Sequence, residues 1–329
     1  MKRKIIVLVA SGLLLLLSAL LGLTLGSADI GFFNSILALF GVERVPNAVV
    51  IVCSLRLPRV LGGIFAGAAL ATSGLLLQSA TGNDLTAPNV IGINSGAGLF
   101  VMLTLCFAPT LSVLLPGFAF VGAMLSALLV LGLSRSGRAA LSRATVVLAG
   151  VAVGALMSAG ISFLSLLYPD ALASYTAFSV GGLSGVYFED ILIPVLIISV
   201  LLTLGYLLSP GLNLLSLGDD MAASMGVRVA RLRALAVICA AALASTAVSY
   251  VGLIGFVGLI APHAARRLVG SDNRILYPLS ALLGALLVNL SDLIGRTLFA
   301  PTELPCGILI SALGAPFFLI LLLRRKNNA

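Results

Sequence analysis

A chain of 329 residues in which 60% are hydrophobic and 9% charged, with a mean hydropathy of +1.20, is excluded from the class of ordinary water-soluble globules. Its net charge of +8 comes from Lys and Arg gathered between apolar runs, so it reports membrane topology and gives no reason to expect nucleic acid as a partner. One histidine and four cysteines without paired spacing (Cys53, Cys106, Cys239, Cys306) offer neither a resident metal site nor a disulfide framework, and no cofactor is expected.

The apolar runs are about long enough to cross a bilayer as helix. They predict an all-α, polytopic membrane protein with about ten spans, at 5–26, 58–80, 90–107, 117–134, 145–167, 191–208, 233–250, 254–266, 276–295 and 306–323. The eighth is short and is expected as a half-span or a tilted element. The first follows Lys2, Arg3 and Lys4 in the manner of a secretion signal, but its apolar run is too long and no cleavage site follows, so it reads as a span. Fifteen of the nineteen Lys and Arg fall on one side of this arrangement, in clusters at 2–4, 135–143, 228–233, 266–274 and 324–326; Arg44, Arg56, Arg59 and Arg296 fall on the other. Basic loops are retained in the cytoplasm, which places both termini there.

Between the first two spans, Ile30, Phe33, Ile36, Leu37 and Phe40 fit an amphipathic helix lying on the outer surface. At Arg56-Leu57-Pro58-Arg59, a proline at a helix start fixes the entry of the second span. The two arginines run against the positive-inside bias and read either as side chains reaching for lipid headgroups or as a site for an anionic partner. The second span is crowded with small residues from Gly62 to Gly74, which lets helices approach closely in lipid. Its inner end, Gln78 to Pro88, breaks helix at Gly82, Asn83, Asp84 and Pro88 and predicts a tight polar turn, either a gate or a plain connection. Gly150, Gly154 and Gly160 suit close packing in the fifth span, and Tyr168 to Asp190 predicts a short external helix followed by a hinge.

Leu212 to Arg233 is the longest polar-tempered segment. Gly218, Asp219 and Asp220 read as a helix start, since carboxylates sit well against free N–H groups and the positive dipole end, and Gly226 reads as the stop. Leu217, Met221 and Met225 fall at i, i+4 and i+8 and share one face on a helix of about two turns. Such a helix does not stand alone in water. It fits a groove on a partner protein or a place on the membrane surface. Further on, glycines at 252, 255 and 258 predict a discontinuous helix, and His263 at the cytoplasmic edge reads as structural.

The missing side chains narrow the chemistry. No lysine occurs from residue 5 to 325, so no GxxxxGK[ST] phosphate loop exists and the chain is not its own ATPase by that route. No nucleophile and base pair marks a hydrolase, and the chain is not read as an enzyme. Asp292 is the one ionisable acid within a span, with Arg296 a turn later as its expected partner; it would be the coupling site if the protein were a proton-driven carrier. A non-transporting scaffold is the other rival. A channel powered from outside through the 212–233 segment fits the residues better.

Five ordered stretches then carry a resemblance: RLPRVLGGIFAGAALATSGLLLQ (56–78), GNDLTAP with GINSGAG (82–98), LSLGDDMAASMGV (215–227), GLIGFVGLIAPHAARRLVGSDNR (252–274) and PTELPCGILISALGAPFFLILLLRR (301–325). Together they resemble the FecCD family of importer permeases, which serve ferric siderophores, haem and cobalamin. The resemblance implies one transmembrane unit over 1–329 with the type II ABC-importer permease fold, in a bacterial cytoplasmic membrane. It implies a dimer with a second copy, two cytoplasmic ATPase subunits and an extracytoplasmic solute-binding protein that delivers a chelated metal. On its pattern Arg56, Arg59 and Arg296 receive carboxylates of the binding protein. Asn83 and Leu85 close the inner mouth, and Gly218 to Gly226, including Asp219, Asp220, Met221, Ala222 and Met225, form the coupling helix on the ATPase. Two departures stand out: Asn83-Asp84-Leu85-Thr86 replaces the family's usual Asn-Pro-Leu-Ala, and its tryptophan before the external Gly-Ser is absent, the local residues being Tyr175 and Ser179-Val180-Gly181-Gly182.

Overall fold

The computed structural model describes residues 2–327 except 27, 29, 43, 136–142 and 299, so most of the basic loop predicted at 134–143 lies outside the described residues. Among the described residues every regular element is helical. In chain order they are α1 (Lys2–Thr24), α2 (Phe32–Leu39), α3 (Leu57–Thr81), α4 (Ile93–Phe107), α5 (Leu115–Arg135), α6 (Arg143–Leu167) and α7 (Pro169–Val180). After these come α8 (Phe188–Leu207), α9 (Ser209–Leu215), α10 (Asp219–Ser224), α11 (Val229–Val251), α12 (Val257–Val269), α13 (Asn273–Thr297) and α14 (Cys306–Asn327). Each predicted span coincides with a helix. Among the described residues seven are long and apolar enough to cross a bilayer, two more (93–107 and 306–320) are shorter apolar helices, and α12 is the expected short element, its 13 residues reaching only about 20 Å.

Burial sorts the helices. The most apolar windows of α3 and α11 are 83% and 78% buried, against 17% for α1, α6 and α8, so α3 and α11 form the centre and the other three face outward. Small residues set this arrangement. A Cβ on Gly74 would fall inside the backbone of Gly258 on α12, and one on Gly67 inside that of Gly284 on α13, so α3 meets both partners backbone to backbone. Gly74→Val is therefore expected to force α3 and α12 apart, at about 3 kcal/mol or more, the upper end of the cost of overpacking or beyond it. The check is the yield of monodisperse protein from membranes; a normal yield and thermal midpoint would contradict it.

The entry to the second span differs from expectation. The chain is already helical before Pro58, through a wide π-helical turn at Val50–Arg56 that runs into α3. Proline lacks an N–H and crowds the carbonyl four residues back. The wide turn just ahead lets the chain stay helical through it. The outer amphipathic helix also differs: α2 has eight residues and packs its small side, Ser35 and Ala38, inward with Ile30, Ala48 and Val52. Phe33 and Phe40 are left 76% and 80% exposed.

The predicted discontinuity is present. α11 ends at Val251, Gly252 takes φ 73° and Phe256 φ 61°, and α12 starts at Val257. Irregular backbone at membrane depth must be satisfied by protein or by a water-lined cavity. Here Leu253 N donates to Phe178 O, Gly182 N to Val251 O and Gly307 N to Gly181 O, which ties the break to the linker after α7 and the start of α14. A cavity of about 550 Å³ borders these strands of chain, lined by Arg59, Thr176, Phe178, Tyr250, Pro305 and Ile308 among others.

Candidate functional site

The predicted site residues lie at opposite ends of the bundle. One end carries α10 and the turn after α3; the other carries the arginines.

At the first end, the glycine before α10 adopts φ 111° and Gly226 after it φ 85°, conformations that side-chain-bearing residues rarely take. The helix between is six residues, shorter than the two turns expected. Along it and at its ends Leu217, Met221 and Met225 are 58%, 57% and 57% exposed, while Ala222, the next residue after Met221, is fully buried. Asp220 stays exposed, whereas Asp219 is engaged by a residue the sequence reading counted only as a topology charge. Arg233, buried at the start of α11, donates Nη2 to both Asp219 oxygens at 2.9 and 3.1 Å and Nε to Ala80 O at 2.8 Å. A single guanidinium thus joins α10 to the last turn of α3. Nearby, Asn213 on α9 donates to Asp272 and accepts from Asn273 N, clamping α9 to the start of α13. The bond from Asn213, with that from the Arg274 amide, holds the Asp272 carboxyl below the ordinary carboxylate range. A lowered folded-state value means that this clamp contributes stability above the ordinary range and loses it as the pH falls.

The turn after α3 begins at Gly82, in the left-handed region, and Asn83 Oδ1 accepts the Leu85 amide at 3.1 Å. Asn83 and Leu85 are half-buried. Asp84, the residue at the unusual position, pairs with Arg266 on α12 at 2.7 Å; Arg266 Nη2 also donates to Gln78 Oε1, while Gln78 Nε2 donates to Gly258 O. The turn is thereby tied across to α12. With Asp84 60% exposed, the pair contributes only about 0–1 kcal/mol. Asp84→Asn is expected to leave overall stability within that margin while raising the labelling rate of a cysteine placed at Leu85. Equal labelling rates would show that the pair does not restrain the turn.

At the other end the three arginines differ in their engagements. Arg56 is buried and donates to Leu23 O, Thr24 O and Ala28 O, closing the end of α1. Arg296 is also buried and donates Nη2 to Gly22 O, with Nε 3.7 Å from Asp292 Oδ2. The main partner of Asp292 is Arg59, not the Arg296 expected from helical spacing: Nε lies 3.1 and 2.9 Å from the two carboxylate oxygens and Nη2 2.9 Å from one. The remaining nitrogen, Nη1, donates to Glu303 at 2.7 Å, and Glu303 accepts from Ser184 at 2.6 Å. Burial alone would push the Glu303 carboxyl up, but the Ser184 and Arg59 bonds and the Arg59 charge outweigh it and hold the carboxyl below its ordinary value. All three arginines and Glu303 line one cavity of about 420 Å³.

Comparison with known proteins identifies the family. Residues 14–324 match the FecCD transport family. The chain belongs to that family. It is 35% identical over 322 residues to the Fe(3+)-citrate import system permease protein YfmE of Bacillus subtilis (strain 168), covering 98% of this chain and 96% of the relative. It is 38% identical over 320 residues to the hemin transport system permease protein HmuU of Yersinia pestis, covering 95% of each. A solved structure described as an inward-facing conformation of a metal-chelate type ABC transporter superposes with a TM-score of 0.85 at 30% identity, covering 96% of this chain and 98% of that one. This FecCD protein is thus a multi-pass membrane permease with the importer fold. Tyr175, near the external Ser179-Val180-Gly181-Gly182 stretch, places its hydroxyl beside Gly98 on α4.

Proposed function

We propose that this chain, acting as one transmembrane unit, is the permease subunit of an ATP-driven importer that carries an iron chelate of siderophore type across the bacterial cytoplasmic membrane. It pairs with a second copy, with two ATP-binding subunits at the α10 end and with a binding protein at the Arg59 end. Both termini then lie in the cytoplasm. The observation that carries this reading is the exposed apolar face of α10, fastened through Asp219 and Arg233 to the end of α3. A surface built to receive force is connected to the central helix of the bundle. The relatives that import ferric citrate and ferric hydroxamate support the cargo class. The likeness to a hemin permease supports haem as a second reading.

Proteoliposomes holding the permease with its ATPase subunits and binding protein should accumulate ferric citrate, a ferric hydroxamate or hemin only when ATP is supplied. Uptake that needs no ATPase subunit and collapses with a protonophore would transfer the assignment to a carrier using Asp292. The reading also assigns Asn83 and Leu85 to the cytoplasmic gate on the dimer axis. Single cysteines at either position should crosslink between copies to a degree that changes with nucleotide, and a total absence of crosslinking in every nucleotide state would remove that role.

A further inference from the structure

The proposed docking role needs Arg59 to receive a carboxylate from the binding protein, yet its Nε and Nη2 are committed to Asp292 and its Nη1 already holds a carboxylate of its own chain. The two acids are not equivalent. Asp292 sits on α13 with its side chain 4% exposed and grips two nitrogens, whereas Glu303 lies in the connection to α14 with its side chain 31% exposed and grips one. The carboxylate that holds Arg59 by one bond and is the more exposed is the weaker partner of Arg59 and the one that solvent and an incoming anion reach. The adjoining cavity of about 420 Å³ has room for a visiting side chain.

We propose that Glu303 holds, in the undocked protein, the place on Arg59 that a binding-protein carboxylate takes on docking, so that docking exchanges one carboxylate for another. This inference rests on the docking reading above. The exchange has a mechanical consequence. Glu303 also accepts from Ser184, so the Arg59–Glu303–Ser184 chain joins the start of the α3 span to the connection before α14 and to the linker after α7. Cys306, the first residue of α14, follows three positions later, and Gly307 N donates to Gly181 O in the same linker. Pro305, Ser184, Gly181 and Gly182 are also part of the wall of the 550 Å³ cavity. Displacing Glu303 frees that wall on the side where cargo is delivered, which links arrival of a loaded binding protein to loosening of the cavity rim.

The test measures binding-protein affinity for the permease with its ATPase subunits in nanodiscs, across four variants. Glu303→Gln removes the competing charge and is expected to tighten docking by about two- to fivefold, the size of one partly exposed charged contact. Ser184→Ala keeps the Glu303 charge and only frees it; exchange predicts tighter docking here too, whereas simple repulsion by Glu303 predicts no change and would overturn the exchange. The pair Arg59→Gln with Asp292→Asn removes the docking cation without leaving its buried acid unpaired. In that background Glu303→Gln should no longer tighten docking. If the pair itself docks as tightly as the parent, the docking reading fails. If the pair loses docking while Glu303→Gln and Ser184→Ala leave affinity unchanged or weaken it, docking stands and the exchange alone is refuted.

Discussion

Membranes containing the Met221→Arg protein are expected to hold it at the parent level and to have lost ATP-driven uptake altogether. The substitution is benign to the fold because Met221 is 57% exposed and its helix partner toward the core is Ala222, so the new charge points into water until a second protein covers it. Once covered, an unpaired guanidinium in an apolar groove costs about 3 kcal/mol or more, roughly a hundredfold or more in association with the ATPase subunit. Ala222→Arg is the contrasting case, since it forces the same group into a fully buried position and should remove the protein from the membrane. The measurements are membrane abundance, co-purification of the ATPase subunit and uptake. Normal co-purification with Met221→Arg would mean that the methionine face rests on lipid.

That face was legible before any coordinates because its cause is local: two glycines bound a short segment, and helical spacing aligns Leu217, Met221 and Met225. The helices at the ten predicted spans were legible for the same reason, since apolar length is a property of each stretch by itself. The short span at α12 and the break before it followed from glycine spacing and a limited apolar run. Contacts that join distant parts of the chain were not legible. Arg59 and Asp292 are separated by 233 positions, and the periodicity of α13 pointed instead to Arg296, the local choice. Glu303 and Ser184 carry no spacing that marks them as partners of Arg59, although a chain with only eleven acids makes any acid near an arginine-rich end informative. Arg233 was hidden for a related reason: its charge served the topology argument, and nothing in the sequence says that it turns inward to reach Ala80 and Asp219. The π-helical turn before Pro58 leaves no local mark, since a proline reads as a helix start and here sits inside a longer helix.

Asp292→Asn is expected to destabilise the protein by about 3–5 kcal/mol, the cost of removing one partner from a buried ion pair. The asparagine can still accept a hydrogen bond from Arg59, but the two guanidiniums beside it, with side chains 12% and 4% exposed, lose their shared compensating charge. Arg59→Gln combined with Asp292→Asn should recover part of that loss, because the guanidinium bound most closely to the acid is removed with it, while Arg296 keeps its bond to Gly22 O but still loses the Asp292 charge. Thermal midpoints of the purified protein in nanodiscs measure both effects. The result also separates two uses of the residue. A proton-coupling aspartate would tolerate asparagine structurally, keep the parent midpoint and lose only transport driven by a pH gradient. An ion-pair aspartate fails first in stability, and whatever Asp292→Asn protein survives still takes up cargo only with ATP. A parent-like midpoint together with loss of gradient-driven uptake would therefore overturn the structural role assigned to Asp292 and revive the carrier mechanism.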